Sequence, residues 1–119
     1  MARILVVEDS PTVLYKTTHI LSQDGHQTLT ASDGESAIEV ARDQRPDAIL
    51  LDVVLPKLNG FQVCRKLKST EETQAIPIIL ITSKTSEEDR DWGIEQGADA
   101  YLTKPYAAVD LLQVIRDHT

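Results

Sequence analysis

A chain of 119 residues with 12 basic and 19 acidic side chains carries a formal charge of −7 and a pI near 4.8. That is enough length for one core, and the acidic balance argues against a surface that grips a nucleic-acid backbone. A single cysteine excludes an internal disulfide framework, and the absence of an apolar run of 18 residues or of a basic leader argues against membrane insertion and secretion, so the expectation is one cytoplasmic domain over 1–119.

Apolar runs and helix-period segments alternate five times, the pattern of βα units around a parallel sheet with helices on both faces. Strands are expected near 3–8, 27–31, 47–52, 76–82 and 99–102. Ile4–Val7, Ala48–Leu51 and Ile78–Ile81 are continuously apolar, as central strands covered on both faces should be. The second and fifth runs are more polar and belong at the edges. Ser10-Pro11 offers a cap and a first-turn proline to a helix that turns Val13, Leu14, Thr17, Ile20 and Leu21 to one face and stops near Gly25. A second helix begins at Asp33-Gly34, buries Ala37, Ile38 and Ala41, and is halted by Pro46. Asn59 or Gly60 opens the third, with Phe61, Val63, Cys64 and Leu67 as its apolar side. Ser86 followed by Glu87, Glu88 and Asp89 places acids at the positive end of a fourth helix that ends at Gly97. Leu111, Leu112 and Ile115 mark the inner stripe of the fifth.

The first and third strands both run out onto carboxylates: Glu8 and Asp9 after Val7, and Asp52 after Leu51. If these strands are neighbours, three acids meet at the carboxyl edge of the sheet, where open α/β folds place ligands. Two unit charges about 4 Å apart repel by roughly 4 kcal/mol at an effective dielectric near 20, so the cluster calls for a proton or a cation. A hard divalent ion such as Mg²⁺ suits such oxygen donors. Thr82 closes the fourth strand and Lys104 follows the fifth, adding a hydroxyl and an ammonium to the same rim. Acids to hold a cation, a carboxylate nucleophile and donors for phosphoryl oxygens form a set suited to phosphoryl transfer.

In their order and strand-end context, Glu8-Asp9, Asp52 with Leu55-Pro56 and Asn59-Gly60, Thr82, Tyr101 and Lys104-Pro105 resemble the receiver domain of two-component response regulators, of the stand-alone chemotaxis type. The resemblance spans essentially the whole chain and implies a flavodoxin-like five-stranded sheet of order 2-1-3-4-5. It implies that Asp52 accepts a phosphoryl group from a histidine kinase or phosphotransfer protein. Mg²⁺ would be held by Asp9, Asp52, the backbone carbonyl of Val54 and, largely through water, Glu8. Lys104, Thr82 and the Ser83 N–H would bind phosphoryl oxygens, Tyr101 would follow Thr82 as a switch, and Pro105 would be cis. The domain would be a phospho-accepting switch and not a conventional enzyme. A downstream protein, such as a motor, pilus component or adaptor, would read the helix 4, strand 5 and helix 5 face, with Arg90, Trp92, Tyr101 and Tyr106 as candidates. The stretch Trp92–Ala98 is similar to receivers of the pilus and twitching-motility branch.

Rival readings are a phosphate sink that competes for a shared kinase, and a Mg²⁺-dependent phosphohydrolase or nuclease on a similar sheet. The latter would place a second acid two positions after the nucleophile or in an Asp-x-Asp pair, and Val54 stands there instead. A pseudo-receiver adaptor is disfavoured because every reactive position is filled. Cys64 reads as a small core residue, and His19, His26 and His118 as surface residues without metal-ligand spacing. Val54 and Lys84, flanking Asp52, are expected to influence phosphoryl lifetime.

Overall fold

The structure, a computed structural model, describes residues 2–83 and 87–119. Five strands alternate with five helices: β1 (Arg3–Val7), α1 (Pro11–Gln23), β2 (Gln27–Ala31), α2 (Gly34–Gln44), β3 (Ala48–Asp52), α3 (Gly60–Lys68), β4 (Ile78–Thr82), α4 (Glu87–Glu95), β5 (Ala100–Thr103) and α5 (Ala108–His118). All strand pairs are parallel and the order is β2-β1-β3-β4-β5, the flavodoxin-like arrangement. Parallel neighbours require crossovers, and each crossover here carries one helix.

Alternation along the central strands sends side chains to two separate cores. Leu5, Val7, Ile49, Leu51, Ile78 and Leu80 meet Ala37, Ala41, Val63 and Leu67 from α2 and α3. Ile4, Val6, Leu50, Ile79 and Ile81 meet Leu21, Leu111 and Ile115 from α1 and α5. Because both faces are covered, β3 and β4 are buried at every position, whereas β2 and β5 are only partly so, as edges should be.

Local chemistry sets the helix ends. The Ser10 hydroxyl accepts from the Val13 N–H with Pro11 in the first turn, and the Asp33 carboxylate accepts from the Ser36 N–H. Asn59 and Gln62 form a reciprocal capping box, each side chain accepting from the other's backbone N–H at 2.9 Å. The expected Ser86 cap lies outside the described residues. Gly25 and Gly97 adopt φ of 87° and 99°, which explains glycine where α1 ends and after α4. Among the described residues no helix is long and apolar enough to cross a membrane.

One surface expectation fails. The His26 side chain is only 6% exposed: its Nδ1 accepts from the Ala2 N–H at 3.0 Å, and its Nε2 lies 3.2 Å from Asp24. It ties the α1–β2 turn to the start of β1, a contact between residues 24 positions apart that spacing alone does not reveal.

Candidate functional site

The register of β1 against β3 pairs Val7 with Leu51, so Glu8 and Asp52 leave adjacent strands side by side. Glu8, Asp9 and Asp52 each present a carboxylate oxygen within 4.8 Å of the others. Glu8 and Asp52 are both 5% exposed, while Asp9 is open to solvent. Each buried acid is oriented by backbone: Glu8 Oε2 accepts from the Ser10 N–H at 3.1 Å, and Asp52 Oδ1 accepts from the Val54 N–H at 3.1 Å.

Lys104 supplies the counter-charge. Its Nζ donates to Glu8 Oε1 at 2.7 Å and to Asp52 Oδ2 at 2.8 Å. Its own N–H donates to the Thr82 carbonyl at 2.8 Å, which joins the residue after β5 to the end of β4, and the Lys104–Pro105 peptide is cis. Burial opposes charge on Lys104, yet the hydrogen bonds it donates to Asp52 and Glu8 outweigh it and hold the ammonium above its ordinary value. Burial pushes the Glu8 carboxyl up, with Asp52 adding to the rise and Lys104 opposing it. Lys104 therefore leaves the Glu8 carboxylate incompletely relieved.

Such a donor set fits Mg²⁺: all hard oxygens, two of them nearly dry, with an exposed third acid that leaves access to water and substrate. Thr82 ends β4 at 1% exposure and has interactions within the fold. Ser83 next to it is exposed and lines, with Lys104, a cavity of about 490 Å³ against α1. Lys84 lies outside the described residues. Tyr101 is half-buried on β5, in the core on the α2 and α3 side; the Arg90 guanidinium of α4 lies 5.7 Å from its ring centre. Gly93 of α4 is buried directly above: a Cβ there would stand 3.3 Å from Tyr101 Cδ2 and 2.8 Å from Leu80 Cδ1. Trp92 is 49% exposed. Tyr106 departs from this group. It packs against the core on the α1 and α5 side, with its hydroxyl 2.6 Å from Thr17 Oγ1.

Gly60 is expected from the sequence as a helix opener and as part of the Asn59-Gly60 motif, and the structure supplies its reason. Its N–H donates to the Val53 carbonyl at 2.8 Å, and a Cβ would collide with the Asp52 carbonyl oxygen and stand 2.7 Å from Val53 Cα. Lys68 was missed altogether; its Nζ binds the Ile76 carbonyl at 2.9 Å and Asp99 Oδ2 at 2.8 Å, bracing the approach to β4.

Residues 4–116 match the profile of the response regulator receiver domain. The chain belongs to the response regulator receiver domain family. Protein PilH of Pseudomonas aeruginosa is 50% identical over 115 residues, covering 97% of this chain and 95% of that one. Chemotaxis protein CheY4 of Vibrio cholerae superposes with a TM-score of 0.94 at 31% identity, covering 100% of this chain and 99% of the other. The receiver domain of sensor histidine kinase PA1611 from P. aeruginosa, solved with a magnesium ion in its active-site cleft, superposes with a TM-score of 0.92 at 32% identity over 98% and 96% of the chains. Several other curated relatives are longer, and the chain spans under half of their length. Membership of the receiver family makes this a two-component signalling domain and sets aside the phosphohydrolase reading.

Proposed function

We propose that this receiver domain takes a phosphoryl group onto Asp52 and uses it to change which protein it binds. The observation that carries the reading is the two-point contact of Lys104 with Asp52 and Glu8, at 2.8 and 2.7 Å, beside a three-carboxylate cluster. It joins a nucleophile, a cation site and a phosphoryl-oxygen donor in one place.

Asp9, Asp52 and the Val54 carbonyl would hold Mg²⁺, with Glu8 acting mainly through water. Bound there, Mg²⁺ supplies neutralising charge for the acids and the incoming phosphoryl oxygens. An Asp52 carboxylate oxygen attacks the phosphorus of a phosphohistidine on a kinase or phosphotransfer protein. The new P–O bond forms as the P–N bond breaks, and the imidazole nitrogen keeps the electron pair and takes up a proton. Lys104 then accompanies the phosphoryl group as a donor, joined by the Thr82 hydroxyl and the Ser83 N–H. Because each of these contacts exists only with the phosphoryl group in place, they favour one arrangement of the β4 and β5 ends over the other.

Tyr101 lies between that rim and α4, so its packing under Gly93 and beside Arg90 is the route by which α4 would register the change. The exposed Trp92 favours a docking surface over a pure phosphate sink, because large exposed aromatics mark interfaces. The 50% identity to PilH over nearly the full length of both chains supports the pilus and twitching-motility branch, and a cytoplasmic site of action belongs to the same proposal. Arg90, Trp92 and Tyr101 remain the partner candidates, whereas Tyr106 faces α1.

Incubation with acetyl phosphate and Mg²⁺ should add one acid-labile phosphoryl group per chain, and a chelator should abolish it. Stoichiometric uptake by an Asp52→Asn variant would defeat the assignment, as would sustained turnover of added phosphoesters.

A further inference from the structure

Lys104 reaches its acids from a segment whose continuation is anchored elsewhere. Two residues on, the Tyr106 hydroxyl sits 2.6 Å from Thr17 Oγ1, a bond between positions 89 apart in sequence. Thr17 is on the inner face of α1 and 3% exposed, so its hydroxyl needs a protein partner, and Tyr106 supplies it. α1 is itself tied to the acid cluster, since its cap residue Ser10 donates its N–H to Glu8. Between α1 and the Ser83, Lys104 and Tyr106 side lies the cavity of about 490 Å³, lined from α1 by Val13, Thr17 and Ile20. That open space leaves the Lys104–Tyr106 segment without continuous packing on its α1 side, and the Tyr106 hydroxyl bond to Thr17 is the hydrogen bond that joins it to α1.

We propose that the Thr17–Tyr106 hydrogen bond is a tether that sets the Lys104 ammonium over Asp52, making Tyr106 a positioning residue for phosphoryl transfer. The proposal rests on Asp52 being the phosphoryl acceptor. An ammonium that stabilises developing charge must be placed before the reaction, and small displacements of such a group lower the rate steeply. Thr17 fixes one end of the tether through α1, and α1 carries the reference frame of Glu8. Lys104 is thus registered against the same acids it neutralises by a route separate from its own ammonium contacts.

The test measures phosphoryl uptake from acetyl phosphate at saturating Mg²⁺, together with unfolding stability, for Tyr106→Phe, Thr17→Val and the double variant. A single substitution leaves one hydroxyl without its partner and lowers stability, and the double variant removes both groups and regains much of it. The tether predicts that the uptake rate stays about three- to tenfold low in the double variant although stability returns. It also predicts that Tyr106→Phe has no further effect in a Lys104→Ala background, where nothing is left to position. A rate that recovers with stability, a rate equal to that of the unsubstituted protein, or an undiminished effect in the Lys104→Ala background would overturn the tether. Failure of the unsubstituted protein to take up phosphate would instead overturn the acceptor reading beneath it.

Discussion

Lys104 is the residue on which the charge balance of the rim turns. Two carboxylates of 5% exposure share one ammonium, and Asp9 adds a third charge nearby. A folded pKa raised above the unfolded value stabilises the fold below the unfolded pKa and loses that contribution as pH rises through the folded one. For Glu8 that loss begins above 4.5, and for Lys104 above 10.5. Burial that raises the Glu8 carboxyl disfavours its ionised form, so a poorly solvated Glu8 carboxylate is what a cation would relieve, while the Lys104 contribution is intact below 10.5. Lys104→Met should therefore destabilise the metal-free protein by about 2 kcal/mol, since it leaves buried charge without a partner. The same variant should bind Mg²⁺ more tightly and regain most of the loss on adding it. Thermal melts with and without Mg²⁺ read both effects, and a Mg²⁺ response equal to that of the unsubstituted protein would refute the competition between ammonium and cation. Cys64 takes no part in this balance: burial pushes its thiol up to about 11, as suits an inert core residue.

At the scale of elements, the loop from β3 to α3 is held by backbone contacts around Asp52. Gly60 opens α3 against the Asp52–Val53 backbone with no room for a side chain. Gly60→Ala should cost about 1–3 kcal/mol of stability, because rigid backbone must move to admit a methyl group. It should also lower phosphoryl uptake more than an alanine at the exposed Phe61-adjacent position Gln62, which measured rates of the two variants would settle. The ten elements were legible because their signals are local: runs ending on acids, Pro11 after Ser10, Gly25 and Gly97 at positive φ. Boundaries moved by a residue or two, as at β4, where Pro77 precedes the ladder and its carbonyl accepts from Ile49. What escaped depends on distant partners. The inward Thr17 was visible in the helical spacing, and a hydroxyl on a buried face demands a partner, yet nothing local to Thr17 points to Tyr106. His26, Lys68 and the orientation of Tyr106 were hidden in the same way.

Across the whole molecule, the proposed coupling would run from the acid rim to α4 through Thr82, β5 and Tyr101. The sheet supplies a stiff frame, since β3 and β4 are buried throughout. α4 differs: Gly93 is its one buried residue, and its flanks carry Trp92 and Ile94 at 49% and 51% exposure. An element with so little buried surface is the part of the fold most readily shifted by a few contacts at the rim. Trp92 is the sole tryptophan, so its emission reports α4 without labelling. Beryllofluoride with Mg²⁺ should change that emission, and Thr82→Ala should suppress the change while leaving phosphoryl uptake largely intact. An unaltered response in Thr82→Ala would remove Thr82 from the path. All of this depends on where the phosphoryl group goes. Reducing the phosphorylated protein with borohydride and mapping its peptides by mass spectrometry should place the modification at Asp52 alone and only when Mg²⁺ was present; modification centred on Glu8, Asp9 or any other residue would contradict it.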